Sequence, residues 1–268
     1  MIGNLSMLMY ALVTALSSIL IHDTNQKITP LLSAFYTFLF CIIVYSIFSS
    51  GLIRKRDSIR KSWYAIFMLN LTTAICWIFT FYSLSLIPPD LFLFVYLTAM
   101  PIAASIIEKG NYTKTFLMLA GLILLVRAYN INSVLLGVIL AFVGGISGTV
   151  YSIFSRKIIA NFNTTEILSM RFYLTVITTF ILSFTYGDMR LMDVEFYSRF
   201  ALLSFISVIA PLILFQVGIK HLSLTRALSF LPLAPLVCYG INLINGNNQA
   251  SLAQFIAVIL LALGMLYR

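Results

Sequence analysis

The chain reads as a series of long apolar runs separated by short polar breaks. The runs fall at about 2–21, 30–50, 63–85, 90–107, 115–128, 133–154, 165–186, 198–218, 224–244 and 252–267. Roughly 20 apolar residues in succession is the length of a helix that crosses a bilayer. Apolar residues are continuous inside each run, whereas strands of a membrane barrel alternate apolar and polar positions. The pattern predicts an all-α polytopic membrane protein of about ten transmembrane helices. The fifth and tenth runs are short, and are expected to fit by local thinning of the bilayer or at the periphery. The polar breaks reach only about a dozen residues, too few for a domain outside the membrane.

The pattern also repeats. The stretch 81–101 ends one run, turns at Pro88-Pro89-Asp90 and begins the next. The stretch 215–235 has the same layout, and an offset of 134, half of the 268 residues, carries Phe81 to Phe215 and Pro101 to Pro235. Thr29-Pro30-Leu31-Leu32 and Thr164-Thr165-Glu166-Ile167 open the second and seventh runs in a similar way. Two five-helix repeats are expected, 1–132 and 133–268. Five crossings are an odd number, so the second repeat must enter the membrane from the opposite side. Inverted repeats of this kind serve alternating access in many secondary transporters.

Composition agrees with the pattern. Hydrophobic residues make up 61% of the chain and charged residues 9%, with a mean hydropathy of +1.02. A soluble domain is nearer half apolar and a quarter charged. The net charge of +9 does not point to nucleic acid, because basic residues collect in cytoplasmic loops of membrane proteins. With a cytoplasmic N-terminus, twelve of the 17 Lys and Arg fall in inner loops or at the C-terminus and four in outer loops. The expectation is a multi-pass protein of the cell inner membrane with both termini cytoplasmic. Arg54-Lys55-Arg56 with Arg60 and Lys61 is the strongest anchor, beside an interfacial Trp63 and Tyr64. The first run has no basic region before it and no small-residue cleavage site, and reads as a retained helix. Cys41, Cys76 and Cys238 lie in apolar runs without metal spacing and read as small core residues.

In order and spacing, these motifs resemble the drug/metabolite transporter superfamily, specifically its EamA-type members with ten helices in two halves. Phe81-Tyr82-Ser83-Leu84-Ser85-Leu86-Ile87-Pro88-Pro89 followed by Pro101 is similar to the family's third-to-fourth helix pattern. Ser155-Arg156-Lys157 and Glu166-Ile167-Leu168-Ser169-Met170-Arg171-Phe172 resemble the sixth-to-seventh pattern with its arginine. His221-Leu222-Ser223-Leu224-Thr225-Arg226-Ala227 leading to Pro235 resembles the eighth-to-ninth. The chain departs from the family at the Gly-Glu pairs after the fourth and ninth helices, where it has Glu108-Lys109-Gly110 and Gly246-Asn247. Tyr36 stands at the counterpart of Arg171 in the second helix. The resemblance implies a transporter fold and leaves the substrate open among amino acids, amines, nucleotide derivatives and toxic compounds.

No catalytic constellation is visible, so no enzyme activity, cofactor or metal is expected. The eight acids map to loops or helix ends, which argues against a midplane carboxylate carrying protons, with Glu166 and Glu108 nearest to that role. Arg171 is the one charge inside a run. It either binds an anion, or snorkels to the headgroups or pairs with Glu166. A polar substrate needs hydrogen bonds and aromatic faces at mid-span. The residues that offer them are Trp77, Tyr82, Tyr96, Thr98, Tyr151, Gln216, Tyr239 and Asn242, on helices that the resemblance places around a central cavity. Aromatic faces suit cationic or amphipathic ligands. Pro101 and Pro235, matched near mid-helix, permit kinks and are candidate gating points. Gly144, Gly145 and Gly148 with Ser147 form a small-residue face for close helix packing. The expected partners are a small-molecule substrate and the lipid bilayer, with a homodimer open. A non-transporting membrane scaffold or partner subunit is the alternative function.

Overall fold

With no water at mid-membrane, a spanning segment must pair its own backbone groups, and helices do so within one segment. The apolar runs accordingly fold as helices, and the chain is an all-α polytopic membrane protein. The structure, a computed structural model, describes residues 2–49, 55–107, 112–129, 131–189, 194–223, 226–227, 230–231 and 233–244. The tenth run lies outside the described residues.

In chain order the helices are α1 (Ile2–Asn25), α2 (Pro30–Ile47), the short α3 (Arg56–Lys61), α4 (Trp63–Leu86), α5 (Pro89–Ile107), α6 (Tyr112–Ala128) and α7 (Ile131–Ile158). There follow α8 (Thr164–Met170), α9 (Tyr173–Thr185), α10 (Val194–Ser204), a π-helical turn (Phe205–Ile209), α11 (Ala210–His221) and α12 (Leu233–Ile244). Among the described residues, seven helical segments are long and apolar enough to cross a membrane. The α8–α9 pair and the α10–π–α11 series each count as one of these.

Two packing centres organise the bundle. The first half contributes α4 and α5, which pack against α7. In the second centre, α11 and α12 pack against α1, and α2 packs against α9. α5 is the inner element: all residues from Pro89 to Ala104 are buried. Its close approach to α7 depends on the small-residue face. A Cβ added to Gly145 would clash with the Tyr96 carbonyl and the Ala99 side chain, and one on Gly144 would press on the Cys76 carbonyl. Thr149 Oγ1 donates to the Met100 carbonyl at 2.8 Å beside Pro101, and Ser83 Oγ donates to the Gly137 carbonyl at 2.8 Å.

The C-terminal end of α4 receives two side chains from the last turn of α1. Leu84 is among the last four carbonyls of α4, which have no i+4 donor within the helix, while Phe81 lies one turn further in. Asn25 Nδ2 donates to the Phe81 carbonyl at 2.7 Å, and the His22 Nδ1–H to the Leu84 carbonyl at 2.7 Å. Pro89 then starts α5 at a position where its missing N–H costs nothing. Asp90 in that first turn is fully buried and accepts from the Tyr129 hydroxyl at 2.9 Å.

The two hairpins matched in sequence differ in structure. Pro101 lies deep inside α5, but Pro235 is the third residue of α12. It therefore occupies the first turn of its helix, not the middle. The second half carries an additional proline, Pro232, where the first half has Thr98. A proline disfavours α geometry in the residue before it. The chain turns at Phe230 and Leu231, with i→i−3 bonds from Phe230 N to Ala227 O and from Ala234 N to Leu231 O.

Candidate functional site

Two helices depart from regularity at the centre of the bundle, and each departure is repaired from a neighbouring helix. The seventh run is broken at Arg171 and Phe172, between α8 and α9. Asn70 of α4 spans the gap: its Nδ2 donates to the Met170 carbonyl at 2.6 Å, and its Oδ1 accepts from Leu174 N at 3.3 Å. In the eighth run the π turn precedes Pro211, whose missing N–H frees the Ser207 carbonyl four residues back. Ser17 Oγ of α1 donates to that carbonyl at 2.9 Å, and the Tyr45 hydroxyl donates to the Ile209 carbonyl at 3.0 Å. π turns and discontinuous spans recur at functional sites of membrane proteins.

A cavity of about 40 Å³ lies against the π turn. Tyr10, Thr14 and Ser17 of α1 line it together with Trp77 and Thr80 of α4, Phe92 and Tyr96 of α5, Tyr151 of α7, and Ser207, Pro211 and Leu212. It has room for a few waters. Its wall mixes aromatic faces with hydroxyls. Three lining groups, the Thr14 hydroxyl, the Trp77 Nε1–H and the Ser207 hydroxyl, have no hydrogen-bond partner among the described residues. The Tyr96 hydroxyl meets Cys76 Sγ at 3.1 Å.

Of the residues expected from sequence, Trp77, Tyr96 and Tyr151 line this cavity. The others do not. Tyr82 is half-buried on α4, with Tyr186 and Asp188 as its charged or ionisable neighbours. Thr98 is buried in α5, two residues beyond Tyr96 and so on another face of the helix. Gln216 is buried between α11 and α7, where its Oε1 accepts from Ser155 Oγ at 3.0 Å and its Nε2 lacks a partner. Tyr239 is buried in α12 with its hydroxyl unpartnered. Asn242 belongs to α12, and its side chain lies outside the described residues.

Arg171 sits at the break in the seventh run and is 0% exposed. It does not reach headgroups. Nor does it pair with Glu166, whose Oε2 is held by Lys55 Nζ at 2.8 Å and by the Asn163 N–H at 2.7 Å. Glu108, the other acid near a span, lies outside the described residues. The Arg171 guanidinium stacks over the Tyr151 ring, 4.2 Å from its centre, with the Phe172 ring 5.4 Å away. Phe172 in turn stacks on Phe38 and Tyr45, and Phe38 meets Trp77 edge-on at 5.2 Å. An aromatic framework thus runs from the arginine to the cavity wall.

Sequence reasoning missed Tyr10, Thr80, Ser207, Pro211 and the bridging Asn70. Pro211 within an apolar run was the available signal, since proline inside a span frees a carbonyl that a neighbour must satisfy. Asn70 is a polar residue at membrane depth for the same reason.

Residues 135–267 match the EamA-like transporter family. None of the curated proteins compared with the chain matches it significantly. Fourteen chains of solved structures do. One of them, a crystal structure of a protein 19% identical in sequence, superposes over 98% of this chain and 93% of its own length with a TM-score of 0.66. That likeness concerns the fold alone. The second half of this polytopic membrane protein thus matches the EamA-like transporter family of the drug/metabolite transporter superfamily.

Proposed function

We propose that the chain is a secondary transporter that carries a small polar or amphipathic metabolite, such as an amino acid, an amine or a related compound, by alternating access. The observation that supports this most is the make-up of the cavity wall. Tyr10, Trp77 and Tyr96 come from 1–132, and Tyr151, Ser207 and Pro211 from 133–268. A site built between two halves is exposed to one side or the other when the halves rock. At about 40 Å³ the cavity has room for a few waters but not for a metabolite. Loading therefore requires the halves to part.

The packing supports an inverted repeat of five helices in each half. α4 packs on α7 while α11 packs on α1, and α5 packs on α7 while α12 packs on α1. Exchanging each element for its counterpart in the other half turns one contact into the other. The membrane is the cell inner membrane, with both termini in the cytoplasm, as the bias of basic loops requires.

Transport is tested in proteoliposomes containing the full chain, loaded with a panel of radiolabelled amino acids, organic acids and amines. Trp77→Ala, which removes a large lining face, is expected to lower the initial rate for the carried compound by about tenfold or more without loss of the folded protein. Equal rates for the wild type and Trp77→Ala would overturn the assignment of this cavity.

A further inference from the structure

Among the described residues, no acid forms an ion pair with the Arg171 guanidinium. It is fully buried, and none of its three nitrogens has a hydrogen-bond partner among the described residues. Its neighbours are aromatic rings, and the nearest acid in sequence, Glu166, is already bound by Lys55 and its own capping amide. Leaving a charge buried and unpaired inside a membrane is costly, and such residues are kept where a ligand or pathway uses them.

The surroundings indicate what that ligand is. Arginine offers five N–H donors and no acceptor, and the Trp77 indole, also unpartnered, is donor only. A planar fork of donors matches the two oxygens of a carboxylate. The cation–π surface is already occupied, because Tyr151 carries Arg171 on one face while it lines the cavity. A second cation would meet a fixed positive charge through a low-dielectric wall.

Arg171 touches the cavity-lining Tyr151 but is not itself part of the cavity wall, and we infer that it binds the carboxylate of a small organic acid or amino acid once the Tyr151 ring turns aside to open the cavity to it. This narrows the substrate class of the transport reading and rests on that reading. The carboxylate supplies the counter-charge. Amines without a carboxylate are excluded.

The test uses the purified full chain in detergent. Thermal unfolding is followed with L-leucine, L-phenylalanine, succinate and benzoate, each beside its neutral amide, and with the corresponding amines. At least one carboxylate is expected to raise the unfolding midpoint of the wild type, its amide and amine having no effect. Arg171→Met should abolish that shift, weakening binding by more than about tenfold. Arg171→Lys should keep the selectivity for carboxylates at reduced affinity, since it keeps the charge but not the fork. Without ligand, Arg171→Met should unfold no earlier than the wild type, because an unpaired buried charge has been replaced by an apolar chain. A lower midpoint for ligand-free Arg171→Met would make the arginine a structural keystone and overturn the proposal. So would equal shifts from amides and acids, or no shift from any carboxylate. Flux separates this from the transport reading. Trp77-dependent movement of an amine would leave a transporter without the proposed anion site. A carboxylate shift that needs Arg171, without flux in proteoliposomes, would leave a binding site without transport.

Discussion

At the scale of single residues, polar side chains in this bundle serve mainly to satisfy broken backbone. Asn25 and His22 close α4, Ser17 takes the carbonyl that Pro211 frees, and Asn70 joins the two sides of the break at Arg171. Water cannot do this at membrane depth, so each such side chain has a defined energetic role. Replacing Asn70 by the similarly sized leucine leaves the Met170 carbonyl and the Leu174 N–H without their partner. The expected cost is about 1–3 kcal/mol of stability. It should register as a lower unfolding midpoint in detergent, and an unchanged midpoint would mean that another group closes the gap. Asn70 was visible in the sequence only as part of an Asn-x-Thr triplet. Its use depends on a helix 100 residues away, which no local pattern records.

At the scale of helices, the sequence was most legible where a segment's own composition decides its fate. The runs near 2–21, 30–50, 63–85 and 90–107 correspond to α1, α2, α4 and α5 within a few residues. The glycine face of α7 was also readable, because small residues at helical spacing have few uses in lipid other than close approach. Gly145→Val tests it. The added side chain meets the backbone of α5, which a rotamer change cannot relieve. A loss of about 1–3 kcal/mol is expected from overpacking, together with slower transport, since α5 carries Tyr96 into the cavity. Stability equal to the wild type would show that α5 and α7 can separate without penalty. Less legible were the interruptions. The seventh run looked continuous but is two helices, and the ninth is helical at Arg226 and Ala227, turns at Phe230 and Leu231, and is helical again from Leu233. In the seventh run a donor and an acceptor from Asn70, on another helix, bridge the interruption.

At the scale of the whole molecule, the proposed inversion makes a definite demand on topology. Fluorescent proteins that mature only in the cytoplasm, fused separately to the two termini, should both be bright. An enzyme reporter active only outside the cytoplasm should be active when inserted next to Pro88 and inactive next to Ser223. An external terminus, or activity at both insertion points, would contradict the inverted arrangement. The cavity between the halves and the exchange-related contacts of α1 and α7 are what this topology would put to use.

The sequence alone determined that this is a helical membrane protein, roughly where its spans lie, and which family it resembles. Partition into lipid is a property of each segment's own residues, so continuous apolar runs suffice to decide it. Only the tertiary structure decided which polar and aromatic residues share one site. Of eight expected lining residues it gathered Trp77, Tyr96 and Tyr151 at the cavity, and it set Arg171 against Tyr151 and away from Glu166. Those meetings depend on the rotation of each helix about its axis and on where a helix breaks. Both are set by packing against other helices and by donors brought from distant parts of the chain.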